Sequence, residues 1–179
     1  MSILFSFIDC LLSQIFIGGQ QHTLNKYHMK LTRRVLYLPA KQCDFKWPMS
    51  NNMLAQQMTT FMKQQQGIGL AAPQIGIRKR LFVMAVADQK ERHCFNPEIT
   101  SVDSELIEMD EGCLSFIDES YIILRPGNIK VRYQTSSGTF VSEELSGLLS
   151  RCFQHELDHL NGIVMQQRYK EQHANQSRN

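Results

Sequence analysis

His155 and His159 stand four residues apart in the run His155-Glu156-Leu157-Asp158-His159. If that run is helical, one turn brings both imidazoles over the same point. A divalent metal held there lowers the pKa of a water towards about 7, and Glu156 lies where it can take the proton. The bland reading is a pair of satisfied core histidines, since this short pattern also arises by chance. A catalytic site normally draws three ligands from the protein, so two are too few. His173 is the only later histidine, and it lies in a polar tail. The third ligand is therefore expected upstream. Cys113, in Glu111-Gly112-Cys113-Leu114-Ser115, is preferred because a ligand from another element closes a tetrahedron more easily. Gly112 would let the chain bend and turn the thiol inward. Cys152, three residues before His155, stays as the rival thiol.

A second run, Gly67-Ile68-Gly69-Leu70-Ala71-Ala72-Pro73-Gln74-Ile75-Gly76, is small and uncharged. It lacks the Lys-Ser/Thr ending of a phosphate-binding loop. It also follows no clear strand, as a dinucleotide fingerprint should. Its glycines permit close approach of backbone to a ligand. Gln74 can donate an amide N–H to a developing oxyanion. Read as structure alone, the run is a tight turn between a helix and a strand.

These residues need elements to place them. The clearest is a helix from about Ser146 to Leu160, ended by Asn161-Gly162. On it Leu148, Cys152, His155 and His159 share one narrow stripe. Leu149, Phe153, Leu157 and Leu160 cover much of the opposite side, and Arg151, Gln154 and Asp158 leave a polar strip. A helix apolar on two sides is largely buried, and buried imidazoles need partners. Upstream, Leu54, Met58, Phe61 and Met62 recur at helical spacing after a cap at Ser50 or Asn51, with Gly67 as the stop. Met is common on that face, which reads as core. The middle is β-rich: Leu81–Val86, Tyr121–Leu124 closed by Pro126-Gly127, and alternating Ile129, Val131 and Tyr133. Ser136-Ser137-Gly138 reads as a hairpin turn into Thr139–Glu143, and Met29–Leu38 as an arm or short strand.

At 179 residues the chain fits one domain with a substantial core. Hydrophobic residues make up 42% and charged residues 20%, as in an ordinary globular protein. A net charge of +2 gives no bulk case for binding nucleic acid or membrane. Five cysteines at irregular spacing read as reduced thiols in a cytosolic setting. Met1–Ile17 is apolar but contains Asp9, and its first basic neighbour is Lys26. That argues against a secretory signal and against stable membrane insertion. A weak membrane or targeting role is the minor reading, and a packing extension or an upstream start before Met29 is the bland one.

Taken together, the Gly67–Gln74 loop, the Glu111–Ser115 segment and the Gln154–His159 helix resemble the peptide deformylase family. That family shows GxGxAAxQ, EGCLS and QHExDH in this order, and all three stand intact here. The resemblance spans about Met29 to Met165 and takes in Phe95-Asn96-Pro97-Glu98, Arg125-Pro126 and Gly147-Leu148-Leu149. It implies an α+β fold, with mixed or antiparallel β-sheets around a central buried C-terminal helix carrying HExxH. The expected division is an extension of unknown role at 1–28, a catalytic domain at 29–165 and a fraying polar tail at 166–179. The implied reaction removes the formyl group from N-formylmethionyl nascent peptides, releasing formate, in the cytoplasm and with a transient ribosome encounter. By the same resemblance Cys113, His155 and His159 hold Fe²⁺, which Zn²⁺ or Ni²⁺ can replace. Glu156 is the base and later proton donor, and Gln74 with the Leu114 N–H stabilises the oxyanion. Ile68, Gly69, Gly112, Leu148 and Cys152 bind substrate, and Glu111 pairs with Arg125 behind the site. Two departures stand out. Phe116-Ile117 follows EGCLS where the family often has Val-Pro or Ile-Pro, and Asp118-Glu119-Ser120 follows where a basic residue is common. The rival functions are another metal amidase or peptidase, and a formyl-peptide-binding protein without turnover.

Overall fold

The computed structural model describes the backbone at 14–17 and 20–23 and the chain at 29–87 and 89–174. The expectation for an extension at 1–28 falls, apart from a short antiparallel pair β1 (Gln14–Ile17) and β2 (Gln20–Thr23), outside the described residues.

A five-stranded antiparallel sheet forms the frame, in the order β3 (Gly69–Ala71), β4 (Leu81–Met84), β5 (Arg92–Val102), β8 (Asn128–Gln134), β9 (Phe140–Ser146). A separate antiparallel pair joins β6 (Leu106–Cys113) to β7 (Phe116–Pro126). Helix α1 (Pro48–Gln64) covers one face of the large sheet, and α2 (Gly147–Leu160) lies on the other, between it and β7. The short helix α3 (Met165–Ala174) packs on β7. Among the described residues the arrangement is α+β, with antiparallel sheets and three helices.

Hydrophobic patterning accounts for the layers. Strand β4 is buried along its whole length. Leu81 and Val83 join Met58 and Met62 of α1, whereas Phe82 and Met84 face the α2 side. Phe82 meets Phe153 of α2 edge to face at 4.9 Å. In β8 Ile129, Val131 and Tyr133 alternate inward, as the period of two predicts. Turn Thr135–Thr139 closes the β8–β9 hairpin, with Gly138 at φ 88°.

Some local expectations are corrected. Helix α1 starts at Pro48 rather than at a Ser50 or Asn51 cap. Proline is pre-shaped for the first turn and has no N–H to satisfy there. Asn51 sits inside that turn and donates to the Asp44 carbonyl. Residues 29–38 form no strand; a turn at 34–37 buries Leu36 against Phe116 and Val164. Gly69–Ala71, read as loop, is a β-strand paired with β4, followed by a 3₁₀ turn at Ala72–Ile75. The tail does not fray through residue 174, because α3 has partners. The side-chain amide of Gln172 grips both backbone groups of Leu124, at 3.0 and 2.7 Å, and Tyr169 packs on Tyr121. The helix bearing the two histidines is thus followed by another, docked one.

Candidate metal centre and substrate cleft

Helix α2 is buried on nearly every side. Its polar strip is buried as well: Arg151, Gln154 and Asp158 have 6, 7 and 8% exposure. Each finds partners. Gln154 donates to the Pro126 carbonyl and to Ser150 Oγ. Arg151 donates to Glu111 Oε1 at 2.7 Å and to the carbonyls of Ile123 and Ile107. Arg125 forks onto Glu111, Nε to Oε1 at 2.6 Å and Nη2 to Oε2 at 2.9 Å, and reaches Asp158 Oδ2 with Nη1. Such paired guanidinium–carboxylate forks are what make buried charge tolerable.

This network ends on a histidine. His155 Nδ1 lies 3.1 Å from Glu111 Oε2. The carboxylate favours Nδ1 as donor, which leaves Nε2 as the free lone pair. His159 Nε2 lies 3.3 Å from Cys113 Sγ. The ligand atoms of Cys113, His155 and His159 all fall within 4.8 Å of one another. A bulge between Gly112 and Cys113, at the tight β6–β7 turn, brings the thiol to the helix. Gly112 itself has neither positive φ nor any atom within 4 Å of a built Cβ. The bulge, not glycine's freedom, makes the bend. Cys152 takes another place, its Sγ donating to the Ile68 carbonyl in the cleft wall.

The donor set fits a metal. One sulfur and two imidazole nitrogens suit Fe²⁺ or Zn²⁺. His159 Nδ1 and Glu156 Oε2 are buried with no hydrogen-bond partner among the described residues. Burial works to lower His155, but Cys113 and Glu111 outweigh it and raise the imidazole to about 10. Burial pushes His159 well below its ordinary value. A cation among these groups would displace the His155 proton, since ligands bind deprotonated.

Beside this cluster opens a cleft of about 440 Å³. Ile68, Gly69, Gln74, Glu111, Gly112, Cys113, Leu114, Leu148, Cys152, His155 and Glu156 all line it, while His159 and Arg125 are buried and joined to it through Cys113 and Glu111. Burial pushes the Glu156 carboxyl up to about 7, the range of a working general base. Gly69 faces Glu156: a Cβ there would lie 2.3 Å from Oε1 and 2.8 Å from Cys152 Sγ. Gln74 is fully buried and its amide is fixed at both ends. Oε1 accepts the Ala71 N–H at 2.8 Å; Nε2 donates to Ser115 Oγ at 3.2 Å and points at Cys113 Sγ at 3.5 Å.

Sequence reasoning missed Ser115, which aims Gln74, and it left Arg151 and Asp158 on a polar strip with no partners named. It also missed Arg33, whose Nε and Nη2 hold the Ser115 carbonyl at 3.1 and 2.8 Å while its guanidinium covers the Phe116 ring. Phe116, the departure from the family pattern, is buried there with Leu36 and Ile123. An apolar residue directly after EGCLS was the one signal for this packing.

The model of the polypeptide deformylase family matches residues 26–175 of the chain. The chain belongs to the polypeptide deformylase family. These deformylases are metal-dependent enzymes that remove the N-formyl group from newly made polypeptides. A peptide deformylase of Thermotoga maritima is 46% identical over 110 residues, which are 62% of this chain and 66% of that relative, just under two thirds of its length. The crystal structure of the peptide deformylase from Thermotoga maritima superposes with a TM-score of 0.74 at 38% identity, covering 80% of this chain and 97% of that one. A class I type b peptide deformylase from Acinetobacter baumannii with Met-Ala-Ser bound has a TM-score of 0.75 at 32% identity, covering 78% and 97%.

Proposed function

We propose that this chain hydrolyses the formamide of N-formylmethionyl peptides as they leave the ribosome in the cytoplasm, releasing formate and a free α-amine. The observation that carries the reading is the buried Glu156 carboxyl facing the cleft beside the Cys113–His155–His159 cluster. The catalytic unit is residues 29–165, with HExxH on α2 as its centre. The three ligands hold Fe²⁺, with Zn²⁺ or Ni²⁺ as replacements, and the bound metal supplies Lewis acidity that polarises the formyl group and acidifies water.

The remaining work falls to the chain. Glu156 takes a proton from the attacking water; with a pKa near 7 it is both a competent base and, once protonated, a competent acid. It returns that proton to the leaving nitrogen as the C–N bond breaks. Gln74 Nε2 and the Leu114 backbone N–H donate to the oxyanion; the Ser115 and Ala71 contacts hold the amide in place, and its second N–H, aimed at Cys113 Sγ, is the one that serves the oxyanion. Ile68, Leu148 and Cys152 take the methionine side chain, and Gly69 and Gly112 let the peptide backbone come close. Cys113 is a ligand, not a nucleophile.

The Acinetobacter relative is bound to Met-Ala-Ser, the peptide that deformylation of formyl-Met-Ala-Ser would leave. The test is formate release from formyl-Met-Ala-Ser by anaerobically prepared, Fe²⁺- or Ni²⁺-loaded protein, beside unformylated Met-Ala-Ser. Formate from the first and no new amine from the second is the expected result. Cleavage of the unformylated peptide points to a peptidase, and no formate at all refutes the proposal.

A further inference from the structure

Helix α3 lies outside the cleft, yet one of its side chains is joined by charge to the cluster. Arg168 reaches back to α2, with Nη2 on Asp158 Oδ1 at 2.5 Å and Nε on Oδ2 at 3.2 Å. The same Oδ2 receives Arg125 Nη1 at 2.8 Å. Arg125 turns its other two donors to Glu111, and Glu111 Oε2 meets His155 Nδ1. A continuous run of hydrogen-bonded charges thus links a surface helix to one imidazole. The side chains of Glu111, Arg125 and Asp158 keep only 3, 5 and 11% exposure, against 29% for Arg168.

We propose that Arg168 is a positioning residue for the metal centre, acting through Asp158, Arg125 and Glu111 on the ring of His155. The proposal rests on the reading of Cys113, His155 and His159 as metal ligands. Arg168 binds both oxygens of Asp158 and so fixes the plane of that carboxylate. Arg125 can then meet Asp158 and Glu111 together with all three of its donor groups. Without Arg168, Asp158 Oδ1 loses its partner and the carboxylate can rotate. Arg125 follows it, and the Glu111 oxygen that sets the tautomer and tilt of His155 is held less firmly. Groups that directly back a metal-ligating histidine typically account for ten- to a hundredfold in affinity. Arg168 stands three links further back, so about three- to tenfold is expected.

The fold allows this role to be separated from packing. Helix α3 is also held by the Gln172 amide on Leu124, by Tyr169 on Tyr121 and by Gln166 on Glu119. None of these touches the charge run. The experiment measures Co²⁺ dissociation constants by chelator competition, and the visible d–d spectrum of the Co²⁺-loaded protein, for wild type, Arg168→Ala, Arg168→Lys and Gln172→Ala. Arg168→Met, which keeps the aliphatic stem, replaces the alanine variant if that chain fails to fold. The expected result is three- to tenfold weaker Co²⁺ binding and altered d–d bands on losing Arg168. The Arg168→Lys variant, which keeps the charge but not the grip on both Asp158 oxygens, should fall between Arg168→Ala and wild type. Gln172→Ala should lower the melting temperature and leave Co²⁺ binding unchanged. Wild-type affinity and spectrum without Arg168 overturn the proposal, as does a Gln172→Ala variant that weakens Co²⁺ equally. A wild-type chain that takes up no Co²⁺ overturns the metal reading itself, and is distinct from both.

Discussion

Changing Gly69 to alanine tests the geometry of the site most directly. The added Cβ would sit 2.3 Å from Glu156 Oε1, 2.9 Å from its Cδ and 2.8 Å from Cys152 Sγ, where ordinary contact begins at 3.4 Å. Glu156 therefore has to retreat by roughly 1 Å, or strand β3 has to move away from α2 by as much, at a packing cost of about 1–3 kcal/mol. A displacement of about 1 Å in a reacting group costs on the order of a hundredfold in rate, or about 2.7 kcal/mol of barrier. The expected outcome is kcat/KM on formyl-Met-Ala-Ser reduced about a hundredfold, read as formate in a dehydrogenase-coupled assay. Metal content should stay at the wild-type level, because the three atoms nearest the Cβ belong to Glu156 and Cys152 and not to Cys113, His155 or His159. Gly112→Ala is the matched control: its Cβ meets nothing within 4 Å, so stability should change by less than about 0.5 kcal/mol. Gly69→Ala with turnover within threefold of wild type would refute the claim that this glycine leaves room for the base.

Other outcomes follow from the same contacts. Glu156→Ala should retain metal and lose nearly all formate release; substantial residual turnover would place the base elsewhere. Cys113→Ala should lose metal, measured by atomic absorption, whereas Cys152→Ala should keep it; the reverse would exchange the two thiols. Glu111→Gln removes the only carboxylate that Arg151 contacts among the described residues, leaving a buried cation and costing about 3–5 kcal/mol in urea unfolding. The pH dependence has a definite sign. Burial opposes ionisation of Glu111, but hydrogen bonds from His155 and Arg125 prevail and hold it well below the usual carboxylate range. That stability is present above the unfolded value of about 4.3 and is lost as pH falls from there towards the folded value. Glu111→Gln should flatten this acid limb; an unchanged limb would show that Glu111 does not carry it.

Much of the chemistry was legible in the chain because it is local. His155, Glu156 and His159 share one helical turn, and the 3.6-residue period alone places them. The same period gave the stripe with Cys152 and Leu148 and the core face of α1. Alternation gave β8, and Ser136–Gly138 gave its hairpin. What remained open depended on segments far apart in sequence. Choosing Cys113 over Cys152 by geometry required the β6–β7 bulge to meet α2 across 46 residues. The aim of Gln74 depended on Ser115, 41 residues away. Arg151 and Asp158 read only as a polar strip, with no partners visible in the sequence; they are buried because Glu111 and Arg125 arrive from β6 and β7 to neutralise them. The tail read as loose for the same reason, since a short polar helix gains order only from what it docks against, and Leu124 and Asp158 are supplied by the fold. Sequence by itself determined which groups can do the chemistry, through periodicity within a turn or a strand. Tertiary structure decided which of them meet and which charges are paired, because pairing across a core is set by packing of distant elements and leaves no periodic trace.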